Sequence, residues 1–423
     1  MSTRTLTELP TTVDPLRWPD VARVPRVPLR AAVARRLLHR IARRRGIDVR
    51  LPDGRSLVPV PPGSPVLRLY RPETFCHRVG AGGLIGFGES YQAGDWDAPD
   101  LVGLLTVLAA APEHLVPGWA QPLRRVYVQR PPAAERGSRE QAKGNIARHY
   151  DLSNELFALF LDPTLTYSSA VFPTGADGCP LADRTGLAAA QRRKIDRLLD
   201  LARVGPGTRL LEIGTGWGEL ALRAAARGAE VVSLTLSEQQ LALARRRIAA
   251  AGQSGRAEVR LCDYRAVTGQ YDAVVSVEMI EAVGKEYWPS YFATLDRVLA
   301  PGGRVALQAI TMPHERMVAS GETYTWILKY VFPGGLIPSV RAIAETAERA
   351  TTLRLTAAAS FGPHYAETLR LWRERFTARG EEVAALGFDE VFRRMWRLYL
   401  AYSEAGFRTG YLDVRQLLLT REA

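Results

Sequence analysis

Between Thr208 and Ile310 the chain alternates two kinds of segment, and this alternation constrains its fold more than any other feature. Short apolar runs, TRLLEIG, EVVSLTL, AEVRLCD, YDAVVSV and GGRVALQAI, are interleaved with helical patterns over 217–228, 237–251 and 286–299. Near-continuous apolar character marks strands covered on both faces, and parallel neighbours need the long crossover that a helix supplies. The pattern predicts an α/β domain with a doubly wound, mostly parallel sheet running from about residue 140 to the end.

The first strand of this array runs into a glycine-rich turn, LLEIGTGWGELA, over 210–221. Such a turn lets backbone N–H groups and the positive end of the next helix approach a ligand. A dinucleotide fingerprint requires G-x-G-x-x-G, and counted from Gly214 and Gly216 the third glycine position is Glu219. The residues present, Glu212, Gly214, Gly216 and Gly218, resemble motif I of the Rossmann-like S-adenosylmethionine (SAM) methyltransferases. In those enzymes the acidic residue helps hold the methionine amino end and the glycines admit the nucleoside. The second strand ends VVSLTLSEQQ, without the acidic residue that often binds ribose, so Thr235, Ser237, Gln239 and Gln240 must serve there. Ser237 also reads as the N-cap of the following helix.

The net charge of +12 points to an acidic partner, such as nucleic acid or an anionic lipid surface, or to a solvated arginine-rich exterior. Cys76, Cys179 and Cys262 are far apart and lack CxxC spacing, and the six histidines show no ligand spacing, so neither a disulfide framework nor a metal site is expected. This fits a reducing, cytoplasmic setting. No apolar run is long enough to span a bilayer, so membrane contact would be peripheral, on the inner face.

Residues 1–28 read as a flexible arm. The stretch LRAAVARRLLHRIARRR then places Val33, Leu37, Leu38 and Ile41 at helical spacing among arginines, a basic amphipathic helix able to lie on lipid or to dock on its own protein. Extended runs with an Asp-Gly turn over 49–72 predict a small hairpin, and helices follow near 98–111 and 113–126. The expected division is a small α+β domain over 29–130 that associates with lipid, a linker over 131–140, and a catalytic domain over 141–423.

Seven blocks then carry a more specific resemblance: RHYDLSNELFALFLDPTLTYSSAVF, LEIGTGWGELA, SLTLSEQQ, LCDYR, VSVEMIEAVG, YVFPGGLIPS and FGPHY, in this order. With GLIGFGESYQAGDW they resemble the cyclopropane-fatty-acyl-phospholipid synthase family over about residues 80 to 415. The resemblance implies a class I SAM-dependent methyltransferase fold with a seven-stranded sheet, acting on the cis double bond of phospholipid acyl chains. It places Tyr167, Ser168, Glu212, Gly214, Gly216, Thr235, Leu236, Gln240, Asp263 and Tyr264 at SAM. It places Glu281 and Tyr365 beside the reacting carbon. The stretch YTWILKYVFPGGLIP is apolar enough to line an acyl tunnel, although core packing explains it equally well.

In that family a bicarbonate, held by these groups with a cysteine, a histidine and a backbone amide, takes the proton that lets a cyclopropane ring close. This chain has Ser169 in place of the cysteine and Gln308 in place of the histidine, followed by Ile310. Both can still donate to an anion. Loss of thiol and imidazole favours the other outcome known among actinobacterial relatives, a 10-methylene chain that a partner reductase would convert to a 10-methyl branch; a cyclopropane product is the alternative. Glu278 would lie on the same side of a helical turn as Glu281 and reads more readily as a surface or capping residue than as a proton acceptor. The missing fingerprint glycine excludes a nicotinamide enzyme. SVEMIEAVG replaces the Asn/Asp-Pro-Pro-aromatic motif typical of base-amino methylation, so no nucleic-acid substrate is expected. The oligomeric state is left open.

Overall fold

The computed structural model describes residues 12–110, 153–321 and 323–421. The helix expected over 113–126, the 131–140 linker and the RHYDL start of the first family block lie outside them. Two compact units form, one from Met1–Arg130, Thr323–Val331 and Gly380–Thr409, the other from Pro131–Glu322, Phe332–Arg379 and Gly410–Ala423. The stretch expected as one catalytic domain thus lends two segments to the first unit.

In the first unit β1 (Asp48–Arg50), β2 (Val66–Leu69) and β3 (Trp96–Asp97) form one sheet. The expected hairpin is corrected: β1 and β2 pair in parallel, and β3 runs antiparallel to β2. The Asp53–Gly54 turn does form, with Gly54 at φ +84°, but it returns only to a single bridge between Arg50 and Ser56. Pro59, Pro61 and Pro62 follow and have no N–H to continue a ladder.

The flexible arm is also corrected from residue 12 onward. Val21 is buried against Ala93 and Val391, and the Trp18 indole donates to Asp389 at 2.8 Å. The basic helix spans Pro28–Arg45 and turns Ala31, Ala34 and Ala42 inward. It packs on the helix Pro72–Gly82, where a Cβ on Gly80 would come within 2.7 Å of the Arg30 backbone. Leu29 and Val33 are left on the exposed side among arginines.

The YTWILKY stretch is likewise used in packing within this unit. Trp326 is buried over Gly88 and its indole donates to Gln92 Oε1 at 2.7 Å, while Lys329 bridges Asp20 and Glu89. Arg394, from the helix Glu390–Arg408, stacks 4.2 Å from the Tyr91 ring centre and donates to the Tyr91 and Trp96 carbonyls.

The second unit carries β4 (Arg209–Ile213), β5 (Glu230–Thr235), β6 (Ala257–Leu261), β7 (Tyr271–Val277), β8 (Leu299–Thr311), β9 (Leu353–Ser360) and β10 (Asp413–Arg421). Their order is β6-β5-β4-β7-β8-β10-β9, parallel through β8, with β10 antiparallel to both of its neighbours. Successive residues feed opposite faces. Leu210 joins Ile195, Leu220 and Ile248 on one side, while Leu211 and Ile213 join Phe292, Leu295 and Ile343 on the other. This is the doubly wound sheet expected from the sequence. Its order reverses between β4 and β7, so the crevice for a ligand opens beyond their carboxyl ends.

Gly88→Ala would place a Cβ 2.2 Å from the Trp326 ring. Overpacking of this kind costs about 1–3 kcal/mol. Thermal melting should therefore show a lower midpoint, with the second unit's ligand binding preserved.

Candidate functional site

The crevice is a cavity of roughly 1000 Å³, mouth included, entirely within the second unit. Its floor is the turn after β4. Gly214, Gly216 and Gly218 all have positive φ, a region costly for other residues. At Gly214 the requirement is also steric, because a Cβ would meet Met279 Cγ at 2.7 Å.

Glu212 is buried at the end of β4, and Ser233 on β5 donates to it at 2.5 Å. Burial pushes its carboxyl up to about 8, against the pull of Ser233 and of Lys194. Lys194 was not singled out from the sequence. It projects from the helix Leu187–Leu201, fully buried, and donates to Ser168 Oγ at 2.6 Å. Burial lowers its ammonium to about 8, opposed by Glu278, Asp162 and Glu212. Only a charged residue inside the apolar face of that helix (Leu187, Ala190, Ile195, Leu198) marked it in the sequence. From the same helix, Gln191 donates to the Thr166 and Ser168 carbonyls and fixes the TYSS segment.

Of the expected SAM residues, Tyr167, Ser168, Glu212, Gly214, Gly216, Thr235, Leu236, Gln240 and Tyr264 line the cavity. Thr235 donates to Gln240 Oε1 at 3.0 Å, and Ser237 caps the helix Glu238–Ala250 through the Gln240 N–H, as read from the sequence. Asp263 is the exception. Its carboxylate caps a 3-10 turn and receives the Arg265 N–H and guanidinium, which turns it to Arg265 rather than to the cavity.

The expected catalytic residues sort around two carboxylates. Glu278 is neither on a helix nor at the surface, which corrects the surface or capping reading. It follows β7 in the left-handed region at φ +51° and lines the cavity. Its Oε1 accepts the Ser169 N–H at 3.0 Å and Gln308 Nε2 at 2.8 Å, and its Oε2 accepts the Tyr365 hydroxyl at 2.7 Å. Burial raises its pKa, with the Lys194 charge and these donors opposing. Glu281, in the short helix Ile280–Val283, accepts the Ile310 N–H through Oε1, while its Oε2 is buried without a partner among the described residues. Burial, then the Glu278 charge, pushes it up to about 8.

Gln308 is held rigidly, since its Oε1 accepts from Gln416 on β10 at 3.2 Å. Tyr365 stands perpendicular to Trp372 with ring centres 6.2 Å apart, and Trp372 faces Tyr167 at 5.2 Å. The arrangement offers an open backbone cradle, a buried acid at each switch-point strand and aromatic faces, with no cluster among the described residues able to hold a metal.

Comparison with known proteins gives concordant findings. The mycolic acid cyclopropane synthetase family profile matches residues 137–417. Tuberculostearic acid methyltransferase UfaA1 of Mycobacterium tuberculosis is 58% identical over 413 residues, 97% of this chain and 96% of that protein. Cyclopropane-fatty-acyl-phospholipid synthase of Escherichia coli is 33% identical over 84% of this chain and 87% of its own length. Among solved structures, the cyclopropane synthase MmaA2 from Mycobacterium tuberculosis is 34% identical and covers 66% of this chain and 97% of that one at a TM-score of 0.59. Mycolic acid cyclopropane synthase CmaA1, in complex with SAH and CTAB, is 33% identical with the same coverages at 0.58.

The Glu281 environment sets a pH dependence. An unfolded glutamate ionises near 4.5, and the folded one keeps its proton to about 8. Between these values the folded state binds more protons, so its stability falls as pH rises, by at most about 1.4 kcal/mol per pH unit. Urea unfolding at pH 5, 6.5 and 8 should show a shallower decline in Glu281→Gln than in the parent.

Proposed function

Because the chain belongs to the mycolic acid cyclopropane synthetase family and is a SAM-dependent C-methyltransferase acting on lipid, we propose that it methylates the cis double bond of an unsaturated phospholipid acyl chain and forms a 10-methylene branch. The observation that carries this reading is the near full-length 58% identity to a tuberculostearic acid methyltransferase, joined to a cavity whose expected SAM residues converge.

The residues present fit SAM. Glu212 and Gln240 present polar side chains to the cavity, the turn after β4 is open to close approach, and Leu236 and Tyr264 supply an apolar wall and a ring face. SAM would supply an electrophilic methyl group there. The alkene is a weak nucleophile and becomes a carbocation on attack. Glu278 and the Tyr365 and Trp372 faces place negative charge and π density where that cation would form. A bicarbonate does not fit in the same way. Ser169 Oγ donates to the Ala170 carbonyl, and the Ser169 N–H, Gln308 Nε2 and the Tyr365 hydroxyl all donate to Glu278.

We further propose a peripheral seat on the inner face of the membrane. No helix among the described residues is long and apolar enough to cross one. The helix Pro28–Arg45 exposes Leu29 and Val33 beside Arg36, Arg40, Arg43 and Arg44, the set an anionic lipid surface would engage. A methylene product would be consumed by a partner reductase delivering a hydride and a proton to the new double bond.

Two measurements test these readings. Enzyme, SAM and vesicles rich in oleoyl phosphatidylglycerol should yield a product that keeps olefinic proton signals and is chromatographically distinct from the isobaric cyclopropane. A cyclopropane would overturn the product assignment, and no methylated acyl product would overturn the substrate. Replacing Arg36, Arg40, Arg43 and Arg44 with Glu should weaken sedimentation with anionic vesicles at least tenfold at low salt, since each basic residue near such a surface contributes about 1 kcal/mol. Unchanged binding would remove the helix from the docking surface.

A further inference from the structure

Three hydrogen-bond donors from three separate parts of the second unit converge on one carboxylate. The Ser169 N–H follows the TYSS segment, Gln308 Nε2 comes from β8, and the Tyr365 hydroxyl comes from the helix Gly362–Ala378. Donors so arranged make an anion site, and the anion in it belongs to the chain. Glu278 reaches it from a backbone held at φ +51°, a conformation that a β-carbon disfavours, and its own N–H is tied to the Gln308 carbonyl at 2.7 Å. Four hydrogen bonds therefore fix this residue where it lines the cavity.

We propose that Glu278 is the resident catalytic base, its carboxylate occupying the anion site and taking the proton that ends the reaction, so that turnover needs no dissolved bicarbonate. The proposal rests on the methyl-transfer reading above. Once the alkene π pair has bonded to the incoming methyl carbon, and the departing sulfur has kept the electron pair of its old bond, the acyl chain is a carbocation. A C–H bond of the new methyl group then breaks. Its proton goes to Glu278, which becomes a carboxylic acid. Its electron pair forms either the exocyclic double bond, after a hydride has moved from the methylated carbon to the neighbouring cationic one, or the third side of a ring. Both products release the same number of protons from the same carbon, so either one needs a base beside the methyl. Burial raises the proton affinity of Glu278, which strengthens it as an acceptor, while the three donors and the Lys194 ammonium work the other way, towards the ionised state that such a base must start from.

The test uses the full chain with SAM and oleoyl phosphatidylglycerol vesicles. In buffer stripped of carbon dioxide, the parent should turn over at the same rate as with added bicarbonate. Glu278→Gln should lose about 10²–10⁴-fold in turnover, the usual worth of a positioned general base, while binding SAM with unchanged affinity in calorimetry. Glu278→Gly relieves the left-handed backbone and empties the anion site. It should melt at or above the parent temperature, and bicarbonate or formate should restore part of its activity. A residue that only supports the fold would instead lower the melting temperature and gain nothing from added anions. A parent rate that collapses without bicarbonate overturns the proposal, as does near-parental turnover in Glu278→Gln. A parent that methylates no acyl chain under any condition refutes the functional reading itself.

Discussion

Everything at this site depends on the burial of charge where the sheet reverses direction. Glu212 ends β4, Glu278 follows β7, Glu281 lies one turn further on, and Lys194 enters from the helix Leu187–Leu201. An isolated ionised group in such a place would cost several kcal/mol. The sheet makes the cluster tolerable by bringing hydrogen-bonding groups to each member. Ser233 serves Glu212, Ser168 serves Lys194, the Ile310 amide serves Glu281, and three donors serve Glu278. Every one of these partners lies on a neighbouring strand or on a segment anchored to one, so the topology sets the electrostatics.

The donors are unequally distributed, and the inequality separates the two carboxylates chemically. Glu278 receives three and keeps the Lys194 charge close. Glu281 receives one, leaves an oxygen buried without a partner among the described residues, and feels its neighbour's negative charge. Two acids in such proximity push their proton affinities apart. Glu281 is held up to about 8, whereas at Glu278, the one that lines the cavity, three donors and the Lys194 charge work against the rise that burial brings.

Much of this was legible in the sequence because it follows from local pattern. The five parallel strands were written as apolar runs, the glycine turn as spacing, and Ser237 as a cap. Nine of the ten expected cofactor residues line one cavity. The misreadings share a cause, namely that they depended on partners distant in the chain. Glu278 looked like a helix residue three before Glu281, and nothing local shows that the backbone there turns left-handed with its carboxylate between Ser169, Gln308 and Tyr365. Asp263 differs in having its partner close by: it pairs with Arg265, two residues on, and spacing cannot decide between a ligand and an ion pair. Val33 was read as part of an apolar face open to lipid or to the protein itself, whereas the face that docks is made of small alanines, which allow the close approach to the Pro72–Gly82 helix. The 326–330 aromatics were left between a tunnel wall and core packing, and only the distant partners Gly88 and Gln92, fitted to Trp326, show the packing.

On the proposed reading, the donors that fix Glu278 also bear on which product leaves. A ring forms when the methyl proton is removed while the cation still sits on the neighbouring carbon, and a methylene forms when the hydride has moved first and left the more substituted cation. The first course needs a base able to capture the proton at once. The Ser169, Gln308 and Tyr365 donors and the Lys194 charge lower the proton affinity of Glu278 while burial raises it, and burial prevails; what the donors fix is where the carboxylate stands. A base held in one place takes the proton only when the methyl group comes within its reach, and until then the hydride is free to move. Ser169 and Gln308 then matter less as replacements for a thiol and an imidazole than as groups that position the base: the Ser169 amide and the Gln308 carboxamide converge on Glu278 Oε1, and Gln416 holds the carboxamide in place from β10.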